Sequence, residues 1–233
     1  MPMQYEYTAI PESAVPRASN PVFQHLLDTY ASETSKVVSV WREFAPGDMA
    51  FKPAEKSSSV LDIMKHQLLS ERRFFAEFMG LPGEPEASAL LPTELTPEAF
   101  WRRNEQLCKP RLERMAGRDQ AWWLEVVPFF DVRRERIWVF WRRVLHTTHH
   151  RTQLSVFLLG QTTITSFAGR WRFITVAGVL AAISTNISYW NWYGFPGNYT
   201  VAYISVIAMG FVCAGLVAAA LVKPAPASMA ARA

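Results

Sequence analysis

The sequence predicts an all-α protein: an antiparallel four-helix bundle followed by a two-helix transmembrane hairpin. Three observations carry that prediction. Between residues 19 and 160, apolar side chains recur three, four and seven positions apart, with no convincing strand pattern. Two later stretches carry no Asp, Glu, Lys or Arg, one of 20 residues from Phe173 to Trp192 and one of 24 from Tyr199 to Val222. Three of the 5 histidines also fall between His146 and His150, inside the last expected bundle helix. Bundles of this kind build metal sites from inward-facing side chains on facing helices.

The 233 residues are enough for a sizeable core and one or two domains. The formal charge is +4, and the basic excess is local: 14 Lys/Arg face 6 Asp/Glu between Trp101 and Arg172. Such a bias points to a membrane surface or an anionic ligand. The 2 cysteines, Cys108 in a soluble helix and Cys213 in an apolar run, are not expected to pair, which fits a reducing compartment. No basic segment followed by an apolar one marks a signal peptide near Met1.

Residues 1–18 read as an N-terminal tail, and residues 19–160 as the bundle. The first helix starts near Asn20, with Ser19 or Asn20 as cap and Pro21 in the first position, and buries Phe23, Leu26, Leu27, Tyr30, Val37, Val38 and Trp41. Pro46-Gly47-Asp48 follows its end. The second begins at Ser59, where Asp62 three residues on completes a capping box, and runs to Gly80. His66 lies on its half-apolar flank. A Pro/Gly/Glu/Ala-rich loop leads to a third helix capped by Thr96, ending at Gly117 and kinked or split at Pro110. Residues 118–130 read as irregular, and the fourth helix as 131–159.

Residues 161–172 read as a juxtamembrane linker, 173–222 as the hairpin and 223–233 as a disordered tail. At about 1.5 Å per residue, each charge-free stretch spans the roughly 30 Å of bilayer hydrocarbon. Trp190, Trp192, Tyr193 and Tyr199 suit an interface, and Gly215 with its alanine neighbours permits close helix approach. Arg170, Arg172 and Lys223 place both ends in the cytoplasm by the positive-inside rule. The expected location is the inner, cytoplasmic membrane, multi-pass, with the bundle in the cytoplasm and lipid as a partner.

Residues four apart on a helix lie about 40° apart around its axis and about 6 Å along it. His146 and His150 can therefore turn two imidazoles to one point, and His66 can supply a third. Three neutral imidazoles suit zinc, nickel, iron or copper and leave a coordination position open. His149 competes with His150 for the inward direction. The apolar neighbours Leu154 and Phe157 favour His150, leaving His149 beside the site or on the surface. His25 reads as bundle periphery. Glu71, Arg73, Arg143, Arg151 and Gln153 are expected neighbours, with Gln153 able to hold a ligand imidazole and Arg143 reading as solvated. The sequence contains no Ser-His-Asp pattern, phosphate-binding loop or dinucleotide motif. The arginines lack the aromatic interleaving of a nucleic-acid platform, so no nucleic acid is expected.

Two segments resemble the DinB/YfiT-like superfamily. Phe51–Leu68 is similar to that family's proline-containing loop, helix start and first histidine. His146-Thr-Thr-His-His150-Arg-Thr-Gln-Leu154 is similar to its final-helix pattern. The resemblance covers about residues 19–160 and implies His66, His146 and His150 as ligands of a divalent metal, zinc or nickel first. Iron or manganese is the next choice. The resemblance further implies thiol-dependent S-transfer or isomerisation, with a low-molecular-weight thiol such as bacillithiol or mycothiol and a small electrophile. The membrane hairpin motivates the alternative, a non-catalytic, membrane-tethered metal sensor or interaction module. A homodimer is a further expected partnership. The added membrane hairpin departs from the usual family pattern.

Overall fold

The structure is a computed structural model, and it describes residues 7–160, 164, 166–193 and 196–221. The chain divides into two compact units: the residues up to Lys52 with Ser58–Ser155, and Pro53–Ser57 with the residues from Val156 on.

The first unit is built on four long helices, each started by its own sequence. Asn20 accepts a hydrogen bond from the Val22 amide (3.1 Å), and a 3₁₀ turn over Pro21–Phe23 leads into α1, Gln24–Arg42. Ser59 opens α2, Val60–Arg73: its hydroxyl accepts from the Asp62 amide (3.1 Å) and the Asp62 carboxylate accepts from the Ser59 amide (3.0 Å). Losing such a cap costs about 1 kcal/mol. Thr96 caps α3, Pro97–Ala116, by accepting from the Ala99 amide (3.2 Å). Asp119 caps a short α4, Gln120–Leu124, which buries Trp123.

Contacts between these helices fix their directions. Thr34 meets Cys108 and Trp41 meets Phe100, so α1 and α3 run antiparallel. His66 meets His146 and Glu71 meets Arg143, so α2 and the long α5, Arg136–Gly160, run antiparallel too. Tyr30, Phe75, Leu112, Trp123 and Phe140 fill one core cluster. Residues 7–18 lie along the bundle rather than apart from it, with Ile10 buried and the Ser19 amide bonded to the Ala116 carbonyl.

Three expectations change. Residues 126–135 form a β-hairpin, Val126–Phe129 (β1) against Val132–Glu135 (β2), so α5 starts at Arg136 and not at 131. Its strands are four residues each, and one contains Pro128, too short a run for alternation to register. Pro110 neither ends nor splits α3: its ring is exposed, and the helix continues to Ala116. α2 passes into a π-helical turn, Phe74–Phe78, in which the Met79 amide bonds the Phe74 carbonyl, and Gly80 follows at φ 64°. Widened turns of this kind gather at functional sites.

In the second unit α6, Phe167–Tyr193, and α7, Gly197–Leu221, pack antiparallel. Trp171 donates to the Val212 carbonyl (3.3 Å) and Arg170 to that of Ala219 (2.8 Å). The Phe211 ring lies against Gly178, where any Cβ would clash. Gly215 faces Trp171 and Ile174, as its expected role in close approach requires. Among the described residues, α7 is the one helix long and apolar enough to cross a membrane. α6 begins at Phe167, inside the expected linker, and takes in Arg170 and Arg172. It also carries a polar run around Ser184–Asn186, which dilutes its apolar character. The expected disordered tail, 223–233, lies outside the described residues.

Candidate metal centre

His66 reaches from α2 across to His146 and His150 on α5. One ring nitrogen from each lies within 4.8 Å of the others. The Nε2 atoms of His66 and His146 are 3.2 Å apart. Two imidazoles on one tetrahedral zinc, with bonds of ~2.0–2.1 Å, place their nitrogens about 3.3–3.4 Å apart. The His66 and His146 donors therefore already stand at the spacing of a shared small cation, with the His150 donor within 4.8 Å of both.

The protonation of His146 and His150 suits the same role. Burial, then the neighbouring imidazoles of His150 and His66, push His146 down to about 4, so it is neutral across the physiological range. Burial also lowers His150, against a hydrogen bond it donates to Gln153 that acts the other way. His150 Nδ1 lies 3.0 Å from Gln153 Oε1. An amide oxygen only accepts, so Nδ1 carries the proton and Nε2 remains a free base. Gln153 thus takes the imidazole-orienting place expected of it.

His66 is exposed, not half-covered as its apolar neighbours suggest; its ring stands at the open edge between α2 and α5. His149 is exposed and packs against the His150 ring, outside the close trio. His25 is exposed and stacks on Trp141. Arg73 lines a groove beside the histidines. Arg151 turns away to Glu33 on α1 (3.2 Å), which also accepts from Thr148 (3.1 Å).

Arg143 differs most from its expected solvated state. It is fully buried, with both Nε and Nη2 on the Glu71 carboxylate and its guanidinium 4.3 Å from the Tyr30 ring centre. Arg111, also fully buried, holds the other Glu71 oxygen (2.6 Å) and binds Glu84. Burial alone would raise the Glu71 carboxyl. Arg143 and Arg111 outweigh it and hold the group below the usual carboxylate range. Sequence reading missed this cluster because spacing within α5 puts Arg143 on the histidine face but does not show the Glu71 carboxylate of α2 and the Arg111 of α3 that bury it there.

His66 and His146, with His149 beside them, open on a groove of about 520 Å³ lined by Phe74, Phe78, Phe129, Phe130 and Leu145, with Arg73 and Arg142 on its walls. The β-hairpin and the π-helical turn supply four of those five apolar residues. Cys108 is not part of it: the thiol is buried against Thr34, and burial pushes it up to about 11.

No protein-family model matches the sequence, and no curated protein matches it. Among solved structures, a DinB-like protein from Bacillus cereus ATCC 10987 superposes with a TM-score of 0.50 at 15% identity, over 56% of this chain and 87% of that one. At that identity the likeness concerns the fold. The fold is DinB-like, and it carries three histidines grouped as a metal site requires.

Proposed function

We propose that the protein binds one divalent metal through His66, His146 and His150 and uses it to join a low-molecular-weight thiol to a small electrophile. The observation that carries this reading is the trio of ring nitrogens within 4.8 Å beside an open groove. Zinc, nickel or iron suits an all-imidazole donor set, and zinc or nickel is the proposed ion. When bound, such a metal supplies a Lewis-acidic position open to a thiol or another small ligand. The protein's own part is to hold three imidazoles in place, to fix one of them through Gln153, and to shelter the reacting molecules among phenylalanines. The thiol comes from outside, because Cys108 is buried and protonated at neutral pH. In the transfer a sulfur–carbon bond forms, the leaving group departs with its electron pair, and the thiol proton passes to solvent.

The same proposal places α6 and α7 in the cytoplasmic membrane as a hairpin, with the bundle in the cytoplasm. The apolar length of α7 and the flanking Arg170, Arg172 and Lys223 support it.

Metal analysis of the purified full chain, followed by conjugation of cysteine to a chloronitroarene, tests the reading. Near-stoichiometric metal and a chelator-sensitive rate are expected. Failure to load metal overturns the whole reading. A loaded protein inert toward thiols and electrophiles leaves the metal-sensor function instead.

A further inference from the structure

The groove has its own chemistry, apart from the histidines. Its rings form a continuous cluster: Phe78 lies 4.8 Å from Phe129 and 4.9 Å from Phe130, centre to centre. Phe74 continues it to the histidines, 5.6 Å from His146. The volume, about 520 Å³, falls in the range of small-molecule sites. No carboxylate lines it.

Two features are not explained by folding. Phe130 is 66% exposed, although it is a large apolar residue, and its φ is 52°. That left-handed backbone at a hairpin turn favours glycine or asparagine, and a bulky side chain there is strained. Strain of this kind persists where function uses the side chain. Arg142 is the second feature. Arg73, Arg136, Arg143 and Arg151 each pair with a carboxylate, on Glu77, Glu125, Glu71 and Glu33. Among the described residues Arg142 forms no ion pair, and its guanidinium lies 5.6 Å from the Trp138 ring. An uncompensated cation thus stands on the wall of an aromatic groove that holds no acid.

We infer that the groove binds a small organic anion with an aryl or short alkyl body, the anionic end on Arg142 and the body against Phe78, Phe129 and Phe130. Its place as a substrate rests on the metal reading above; the binding itself does not. Arg73 closes one side of the groove. Its guanidinium sits 5.1 Å and 5.2 Å from the Phe78 and Phe130 rings, so it stiffens the aromatic wall while Glu77 occupies part of its charge.

The test uses the full chain in uncharged detergent, loaded with zinc, and fluorine NMR against protein-free micelles. Three probes separate the terms: 4-(trifluoromethyl)phenylacetate, its neutral amide, and trifluoroacetate, which has the charge without the ring. The acid is expected to bind about tenfold or more tighter than either control, the scale of one charge-assisted contact. Arg142→Gln should bring the acid down to the amide. Phe130→Gly should weaken acid and amide alike while thermal stability holds or rises, because glycine relieves the backbone. Equal affinities for acid and amide, or an unchanged preference in Arg142→Gln, overturn the inference. So does Phe130→Gly binding as the parent does. Zinc is measured on the same samples. A chain that discriminates the acid without holding zinc keeps this inference and sinks the metal reading; a zinc-loaded chain that does not discriminate does the reverse.

Discussion

Two polar clusters bridge the same pair of helices and solve opposite problems. Five residues after His66 on α2 comes Glu71; three residues before His146 on α5 comes Arg143. The Glu71 layer is closed. Two arginines and Tyr30 surround one carboxylate, and all four groups are buried. The histidine layer is open. Its rings are half-buried or exposed, and its nitrogens converge with no carboxylate or cation among them. One layer spends its polarity internally and fixes how α2 meets α5. The other keeps lone pairs free, at an edge whose geometry the first has set. Two helix faces a turn apart can therefore serve cohesion and ligand binding separately.

The largest expected effect lies in the closed layer. Glu71→Gln leaves Arg143 buried without a carboxylate, and breaking a buried pair from one side costs about 3–5 kcal/mol. Thermal or denaturant unfolding of the metal-free chain reads it. His66→Ala in the same assay should change stability by less than about 1 kcal/mol, because the ring is exposed and is replaced by a good helix former. Equal losses in the two variants would break the comparison.

Acidification sharpens it. Glu71 is held below its ordinary value of 4.5, so its contribution to stability is complete above that pH and is lost as the pH falls through the lower folded value. The parent should lose stability on acidification below about pH 4.5. Glu71→Gln should lose less over the same interval. A smaller effect belongs to the open layer: Gln153→Ala should weaken metal binding about 10–100-fold, the usual effect of removing an imidazole's orienting partner, with little change in unfolding. Smallest is Ser59→Ala, about 1 kcal/mol from the α2 cap, felt by both layers because α2 carries one member of each.

Much of this was legible in the sequence, for reasons that differ by element. Ser59 with Asp62 and Thr96 with Pro97 are local signals, and α2 and α3 start where those caps stand; Asn20 with Pro21 opens the 3₁₀ turn that precedes α1. The four-residue spacing of His146 and His150 fixes their shared direction through helix geometry alone. His66 needed the pairing of α2 with α5, which a bundle supplies and the sequence shows only indirectly. The buried Arg111–Glu71–Arg143 cluster depends on contacts between distant segments, whereas the β-hairpin and the π-helical turn are local but too short for a pattern to register. Helical spacing puts Arg143 on the inward face with the buried Val139 and Phe140 and leaves Arg142 off it, but names no partner for either. Yet one holds the core together, and the other stands on the groove wall.

The most direct measurement of the central claim is X-ray absorption on the zinc-loaded full chain, with the metal counted on the same sample. One zinc per chain is expected, with three imidazole nitrogens at ~2.0–2.1 Å. Replacing His66, His146 or His150 by alanine should lower that imidazole count or abolish loading, and His149→Ala should leave both unchanged. Absence of stoichiometric zinc, or an imidazole count indifferent to the three histidines, would contradict the account.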